Sequence, residues 1–192
     1  MSGMDRIRAF IAFKIPESVL CHIRSIQETL AAGGISMRWT PVENVHLTLK
    51  FLGDIRPTAV ESIFEAMTGS VQAAFPLRFS AKGLGVFPGI HRPRVLWIGL
   101  KGDTALLIDL QRRLDVALEA LGFAPELRSF KAHLTIGRAR GPLNPQKLAL
   151  LLASAGSAES PQFSVDKLIL FQSELYPRGP IYTELKTAVL AG

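Results

Sequence analysis

Two four-residue words, His46-Leu47-Thr48-Leu49 and His133-Leu134-Thr135-Ile136, use two of the chain's four histidines, one in each half of the sequence. Each word sits in an apolar, β-branched context that reads as a strand. Strand side chains alternate between faces, so His46 and Thr48 point one way while Leu47 and Leu49 point the other. The same parity pairs His133 with Thr135 and sends Leu134 and Ile136 inward. Each word thus offers an imidazole and a hydroxyl side by side, and two such pairs facing one another make a symmetric clamp for an anion. Imidazole is protonated or neutral near pH 7, so two of them can serve as acid and base in one reaction. Threonine hydroxyls add neutral hydrogen bonds to anionic oxygens. Phosphodiester cleavage uses both: one histidine takes a proton from water or a 2′-hydroxyl, the other protonates the leaving oxygen, and hydroxyls with an arginine hold the nonbridging oxygens. This arrangement requires no metal, and ligand-spaced Cys/His/Asp clusters are missing from the sequence, so no metal or other cofactor is expected.

The elements that must position these words read as follows. Residues 6–15 (RIRAFIAFKI) alternate as a strand, and Pro16-Glu17-Ser18 opens a helix that Gly33-Gly34 ends near residue 32. Residues 37–40 and 45–52 read as strands around Pro41, the second carrying the first word. A helix is expected over 58–73, and a strand over 77–86 with Gly83 and Gly85 marking a bulge. After the loop FPGIHRP, residues 94–100 (RVLWIGL) form a strand, and 103–121 has helical periodicity stopped by Gly122. Residues 131–136 carry the second word, 146–155 a short helix, and 163–175 with 181–185 two closing strands across the turn at 176–180. Strand, helix and motif strand recur in each half, which argues for an α+β fold with two similar halves.

Composition narrows the partners. With 48% hydrophobic and 20% charged residues the chain is an ordinary globular protein rather than a disordered one. The net charge of +6 and pI near 9.8 favour acidic partners, including nucleic acid. Its positive charges, among them Arg6, Arg8, Arg38, Arg92, Arg94 and Arg178, are scattered, which suits a groove better than a long duplex-binding surface. The single cysteine, Cys21, rules out an internal disulfide, matches a reducing compartment, and reads as a small buried residue in the first helix. Asp5, Arg6 and Arg8 interrupt any leader-like apolar run, and no stretch reaches the ~18 apolar residues of a membrane span, so a cytoplasmic protein is expected.

Beyond the two words, RWTPVENVHLTLKFLGD, RVLWIGL, FKAHLTIGR and LFQSELYPRGPIYTEL resemble the bacterial RNA 2′,3′-cyclic phosphodiesterases of the two-histidine phosphoesterase superfamily, a group formerly known as 2′-5′ RNA ligases. The resemblance spans nearly the whole chain in order. It implies hydrolysis of RNA 2′,3′-cyclic phosphate ends to 2′-phosphomonoesters. His46 would be the general acid that protonates the departing O3′ and His133 the general base that activates water; the residues alone leave these roles exchangeable. Thr48, Thr135 and Arg138 would hold the phosphate, and Phe51 would stack on the nucleobase. The expected architecture is one bilobal domain over residues 1–192. Each lobe is an antiparallel-rich sheet with helices outside, and the His-x-Thr strands face a central cleft. The expected partner is RNA with a cyclic-phosphate end, or a related cyclic nucleotide, taken by a monomer with no membrane contact. Two alternatives stay open at this point: 2′-5′ RNA ligation as the reverse reaction, and a non-catalytic RNA-binding module.

Strand parity conflicts with part of this picture. Phe51 and Arg138 each lie five positions after their histidine and should face away from it on a regular strand. Irregular backbone is therefore predicted at Gly137 and at the Leu52-Gly53 strand end. By the same parity Lys50 falls on the site face as a helper for RNA phosphates. Tyr182 either closes the edge of the site or packs in the core. Trp39 and Trp97 read as core residues, His22 as a surface or packing residue, and His91 as a loop residue.

Overall fold

Alternation in the first segment sets the frame: Ile7, Ala9, Ile11 and Phe13 pack into the main core while Phe10 and Ala12 join a separate small cluster on the opposite face. The structure, a computed structural model, describes residues 6–126, 128–177 and 179–191; Asp5 and Arg178 lie outside them. The elements in chain order are β1 (Ile7–Lys14), α1 (Glu17–Ala32), β2 (Met37–Trp39), β3 (His46–Ile55), α2 (Val60–Val71), β4 (Leu77–Phe87), β5 (Val95–Gly102), α3 (Thr104–Glu119), β6 (His133–Ala139), α4 (Pro145–Ala155), β7 (Phe163–Val165), β8 (Lys167–Tyr176) and β9 (Gly179–Val189). The helix over α1 follows from buried Val19, Leu20, Ile23, Ile26 and Leu30 at helical spacing, with Gly33 as its C-cap. Pro145 opens α4 behind Asn144, whose side-chain oxygen accepts a hydrogen bond from the Lys147 N–H at 2.9 Å.

Two antiparallel sheets result, a four-stranded one in the order β3-β1-β8-β9 and a five-stranded one in the order β2-β6-β5-β4-β7. The unit β1-α1-β3 is matched by β5-α3-β6, each placing a motif strand beside the strand that began the unit. The lobes are interleaved rather than consecutive. The C-terminal hairpin β8–β9 completes the sheet begun by β1, and β2 from the first half edges the sheet of the second motif. The segment 163–175, expected as one strand, is two strands in different sheets. Val165 and Leu168 are buried and Asp166 and Lys167 between them are both exposed, so the two-residue alternation breaks there and the chain crosses from one sheet to the other.

Helices pack against both sheets and one another, α2 against β9 and α3, α4 against β4 and α1. One continuous apolar core lies between them and the inner sheet faces. Leu47 and Leu134 are fully buried in it, and each anchors its motif strand by about 1.5–3 kcal/mol. The opposite faces carry the histidines, and β3 and β6 approach one another. Among the described residues no helix is long and apolar enough to cross a membrane.

Candidate active site

Both motif strands are bulged at the same place. On β3, His46 lies opposite Lys14 and Thr48 opposite Ala12; Leu49 has no opposite number, and pairing resumes with Lys50 opposite Ile11 and Phe51 opposite Phe10. On β6, His133 lies opposite Gly99 and Thr135 opposite Trp97; Ile136 is skipped, and Gly137 and Arg138 then pair with Leu96 and Val95. In each case the extra residue is the third after the histidine. One inserted residue reverses the parity of everything that follows it. Phe51 therefore shares the face of His46 and Thr48, and Arg138 that of His133 and Thr135. The irregularity expected at Gly137 falls on its neighbour Ile136. A register shift does occur at Leu52 beside Gly53, which has φ +70°, but it is the bulge at Leu49 that turns Phe51.

The same bulge overturns the expectation for Lys50. Its side chain is 8% exposed, its Nζ pairs with the Asp115 carboxylate, itself 13% exposed, and it donates to the Ala124 carbonyl at 2.6 Å. The other Asp115 oxygen accepts the Glu126 N–H at 2.9 Å. Lys50 thus ties β3 to α3 and to the loop that leads into β6, and does not reach the cleft.

The histidines are held alike. His46 Nδ1 lies 2.7 Å from the Asn44 carbonyl oxygen, and His133 Nδ1 lies 2.6 Å from that of Lys131. A carbonyl only accepts, so Nδ1 carries the hydrogen in both rings, and Nε2 is left as the working atom. Burial lowers the His46 pKa from its ordinary 6.5; the Asn44 hydrogen bond opposes this, and the charge of His133 lowers it further. Burial also lowers His133, opposed by the Lys131 carbonyl and reinforced by the Lys131 ammonium. Each ring is therefore biased towards its neutral form until an anion arrives.

Around them the cleft is aromatic and cationic. Phe10 lies 4.7 Å from the His46 ring, 6.1 Å from Phe51 and 5.2 Å from Phe171, between ring centroids. Tyr182 meets His46 edge-on at 5.3 Å and Phe10 at 4.9 Å, and the charges of Arg138 and Arg8 both act on its hydroxyl. A hollow of about 160 Å³ in front of His46 is lined by Phe10, Lys14, Glu43, Asn44, Phe171 and Tyr182 among others. On the other lobe His133 packs edge-on against Phe87 at 5.1 Å, and the Lys131 ammonium sits 4.4 Å above Trp97. The glycines of β4 accommodate this: the strand bulges between Ala81 and Leu84, and a Cβ on Gly85 would lie 2.2 Å from the Trp97 ring.

His46, Thr48, Phe51, Thr135, His133 and Arg138 are thus brought to cleft-facing positions on two strands. Phe51 is 66% exposed, so it is no core residue. Trp39 packs against the core as expected, but Trp97 does not; it stands on the cleft face because its register partner Thr135 does. Cys21 is exposed on α1, on the side away from the buried stripe through Leu20 and Ile23, and so is not the small buried residue expected. His91 is an exposed loop residue and His22 a half-buried one on α1. Sequence reasoning missed Arg8, Phe10 and Lys131. Alternation across IRAFIAFK placed Arg8 beside Phe10, but no signal said which face of that strand was the cleft.

A sequence profile described as LigT like Phosphoesterase matches residues 13–97 and again residues 98–182. The chain belongs to this family. Among curated relatives of this LigT-like phosphoesterase, a Methanothermobacter thermautotrophicus protein named RNA 2′,3′-cyclic phosphodiesterase is 36% identical over 94% of this chain and 97% of its own length. An Aquifex aeolicus protein of the same name is 32% identical over 98% of this chain and 100% of its own. The fold matches a crystal structure of a Thermus thermophilus protein with TM-score 0.78 at 24% identity, covering 96% of this chain and 98% of that one. It also matches E. coli LigT crystallised with 3′-AMP, with TM-score 0.72 at 23% identity over 98% and 100%.

Proposed function

We propose that this LigT-like phosphoesterase hydrolyses RNA 2′,3′-cyclic phosphate ends to 2′-phosphomonoesters. The observation that carries the reading is the pair of His-x-Thr strands bulged at the same residue, each with its Nδ1–H tied to a carbonyl and its Nε2 free. His133 Nε2 takes a proton from water, whose oxygen attacks phosphorus. As the bond from phosphorus to O3′ breaks, the Nε2–H of protonated His46 passes its proton to O3′. The Lys131 charge adds to burial in favouring neutral His133, which supports the base role. Protonated His46 is favoured once the phosphate anion occupies the cleft. The Thr48 and Thr135 hydroxyls and the Arg138 guanidinium hold the nonbridging oxygens, and Phe51 stacks on the terminal base, worth about 1–3 kcal/mol. The bilobal unit, residues 1–192, acts as a cytoplasmic monomer; the lone cysteine supports a reducing compartment, and the main core that runs through both sheets supports one folding unit.

Incubation of the protein with a cyclic-phosphate-ended oligonucleotide in EDTA is the direct test. The expected product carries a 2′-phosphate. No turnover, or a 3′-phosphate product, rejects the assignment, and loss of activity on chelation rejects the metal-independent mechanism. A solution mass of twice 20.9 kDa would reject the monomer.

A further inference from the structure

The cleft side of β1 carries Arg8, Phe10, Ala12 and Lys14, because Ile7, Ala9, Ile11 and Phe13 face the core. The two cations at its ends are in different states. Lys14, opposite His46, is paired with the Glu184 carboxylate. Arg8, at the far end, is exposed and makes no ion pair or side-chain hydrogen bond among the described residues, its register partner Asp54 included. It stands about 7 Å beyond Phe10 along the strand. Between His46 and Arg8 lies the aromatic floor: His46 leans on Phe10 at 4.7 Å, and Phe51 flanks Phe10 at 6.1 Å. The order along this side of the cleft is therefore imidazole, aromatic pair, free guanidinium.

That order matches the end of an RNA strand. The reacting cyclic phosphate belongs at His46, the terminal nucleoside lies over Phe10 and Phe51, and the next negative charge along the chain is the phosphodiester on that nucleoside's 5′ side. We propose that Arg8 binds this 5′-side phosphodiester and so makes the site select an RNA strand end over a cyclic mononucleotide. Tyr182, whose ring meets both His46 and Phe10 edge-on, feels the charges of both Arg8 and Arg138. A guanidinium is suited to the role because it stays charged and presents a planar fork of donors to phosphate oxygens. The inference rests on the cyclic-phosphate reading above.

Three substrates test it: a dinucleotide with a 2′,3′-cyclic end, the same dinucleotide with its internal linkage replaced by an uncharged methylphosphonate, and the matching cyclic mononucleotide. The wild-type kcat/KM should be about tenfold to a hundredfold higher for the dinucleotide than for the mononucleotide, the range of one charge-assisted contact. Methylphosphonate replacement should remove that advantage. Arg8→Gln should collapse the dinucleotide-to-mononucleotide ratio to the same level, with no further loss when the two changes are combined, and Arg8→Lys should restore part of it. A parallel fall on both charged substrates in Arg8→Gln would overturn the proposal, as would a methylphosphonate dinucleotide that reacts like its phosphodiester parent. The methylphosphonate comparison uses wild-type protein, so it decides the matter even if the variant fails to fold. Turnover with no dinucleotide advantage fails this inference alone; no turnover of any of the three fails the cyclic-phosphate reading beneath it.

Discussion

Lys50→Met separates the observed backbone from the regular strand that parity alone would give. On a regular strand Lys50 faces RNA, and its loss would weaken binding without touching stability. With the bulge at Leu49 it is instead the buried partner of Asp115 and a donor to the Ala124 carbonyl. Methionine keeps the length of the stem but removes the charge and the donors, leaving Asp115 enclosed with only the Glu126 N–H. Breaking a buried pair from one side costs about 3–5 kcal/mol, most of it from the stranded charge. In a chain of this size each kcal/mol shifts the melting temperature by about 2–4 °C, so a fall of roughly 6–20 °C is expected. Thermal and urea unfolding of the variant would measure it. The double variant Lys50→Met/Asp115→Leu should lie closer to wild type than Lys50→Met does, because no charge is left uncompensated. The reasoning is refuted if Lys50→Met keeps its melting temperature while KM for RNA rises and its salt dependence flattens.

Other outcomes follow from the same geometry. His46→Ala and His133→Ala should each lower kcat by about 10²–10⁴-fold with melting temperatures near wild type, as read with a cyclic-ended oligonucleotide. Burial lowers both histidines, so the kcat/KM optimum should lie below pH 6.5, and the kcat optimum should lie at higher pH than the kcat/KM optimum, since the bound phosphate anion favours both charged forms; coincident profiles would count against the shared anion site. The stability consequence has the same sign: the unfolded chain takes up protons first, so stability is complete above about pH 6.5 and declines as pH falls towards the lowered folded values, a trend that melting temperatures across pH 5–8 would reveal. Phe51→Ala should weaken oligonucleotide binding about 5- to 150-fold, from 1–3 kcal/mol of stacking, yet leave stability unchanged because the ring is 66% exposed. Gly85→Ala should cost about 1–3 kcal/mol by overpacking and also slow turnover, because the new methyl drives the Trp97 ring from its place beside His133.

Much of the site was legible because the chemistry-bearing residues lie in short words with their own register. Two histidines, two threonines and the core leucines needed only the two-residue period of a strand. The period carried the reading as far as position three of each word, where an extra residue enters the pairing. The Gly137 side had a visible signal for this; on the Leu49 side no glycine or proline lies closer than Gly53, four positions on, so parity puts Lys50 on the wrong face. Helix ends at Gly33 and Pro145 were legible because those residues have local backbone reasons to be there. The sharing of strands between lobes was not. Nothing local in β8 and β9 says that they pair with a strand from the other end of the chain, since that choice is made by which apolar faces fill the common core. Arg8 stayed hidden for the same reason: its neighbours were readable, but the open side of its sheet was not.

The hydrogen bond from each imidazole to the carbonyl two residues before it has a consequence for how the protein tolerates mutation. Where a carboxylate side chain orients a catalytic histidine, a single base change can remove it. Here the orienting group is main chain, and every replacement at Asn44 or Lys131 still supplies it. The proton-bearing nitrogen is thus specified by the path of the chain rather than by the identity of a neighbour. Substitutions around the two words should leave the rings correctly presented, whereas insertion or deletion of one residue between carbonyl and histidine should silence that half of the site outright.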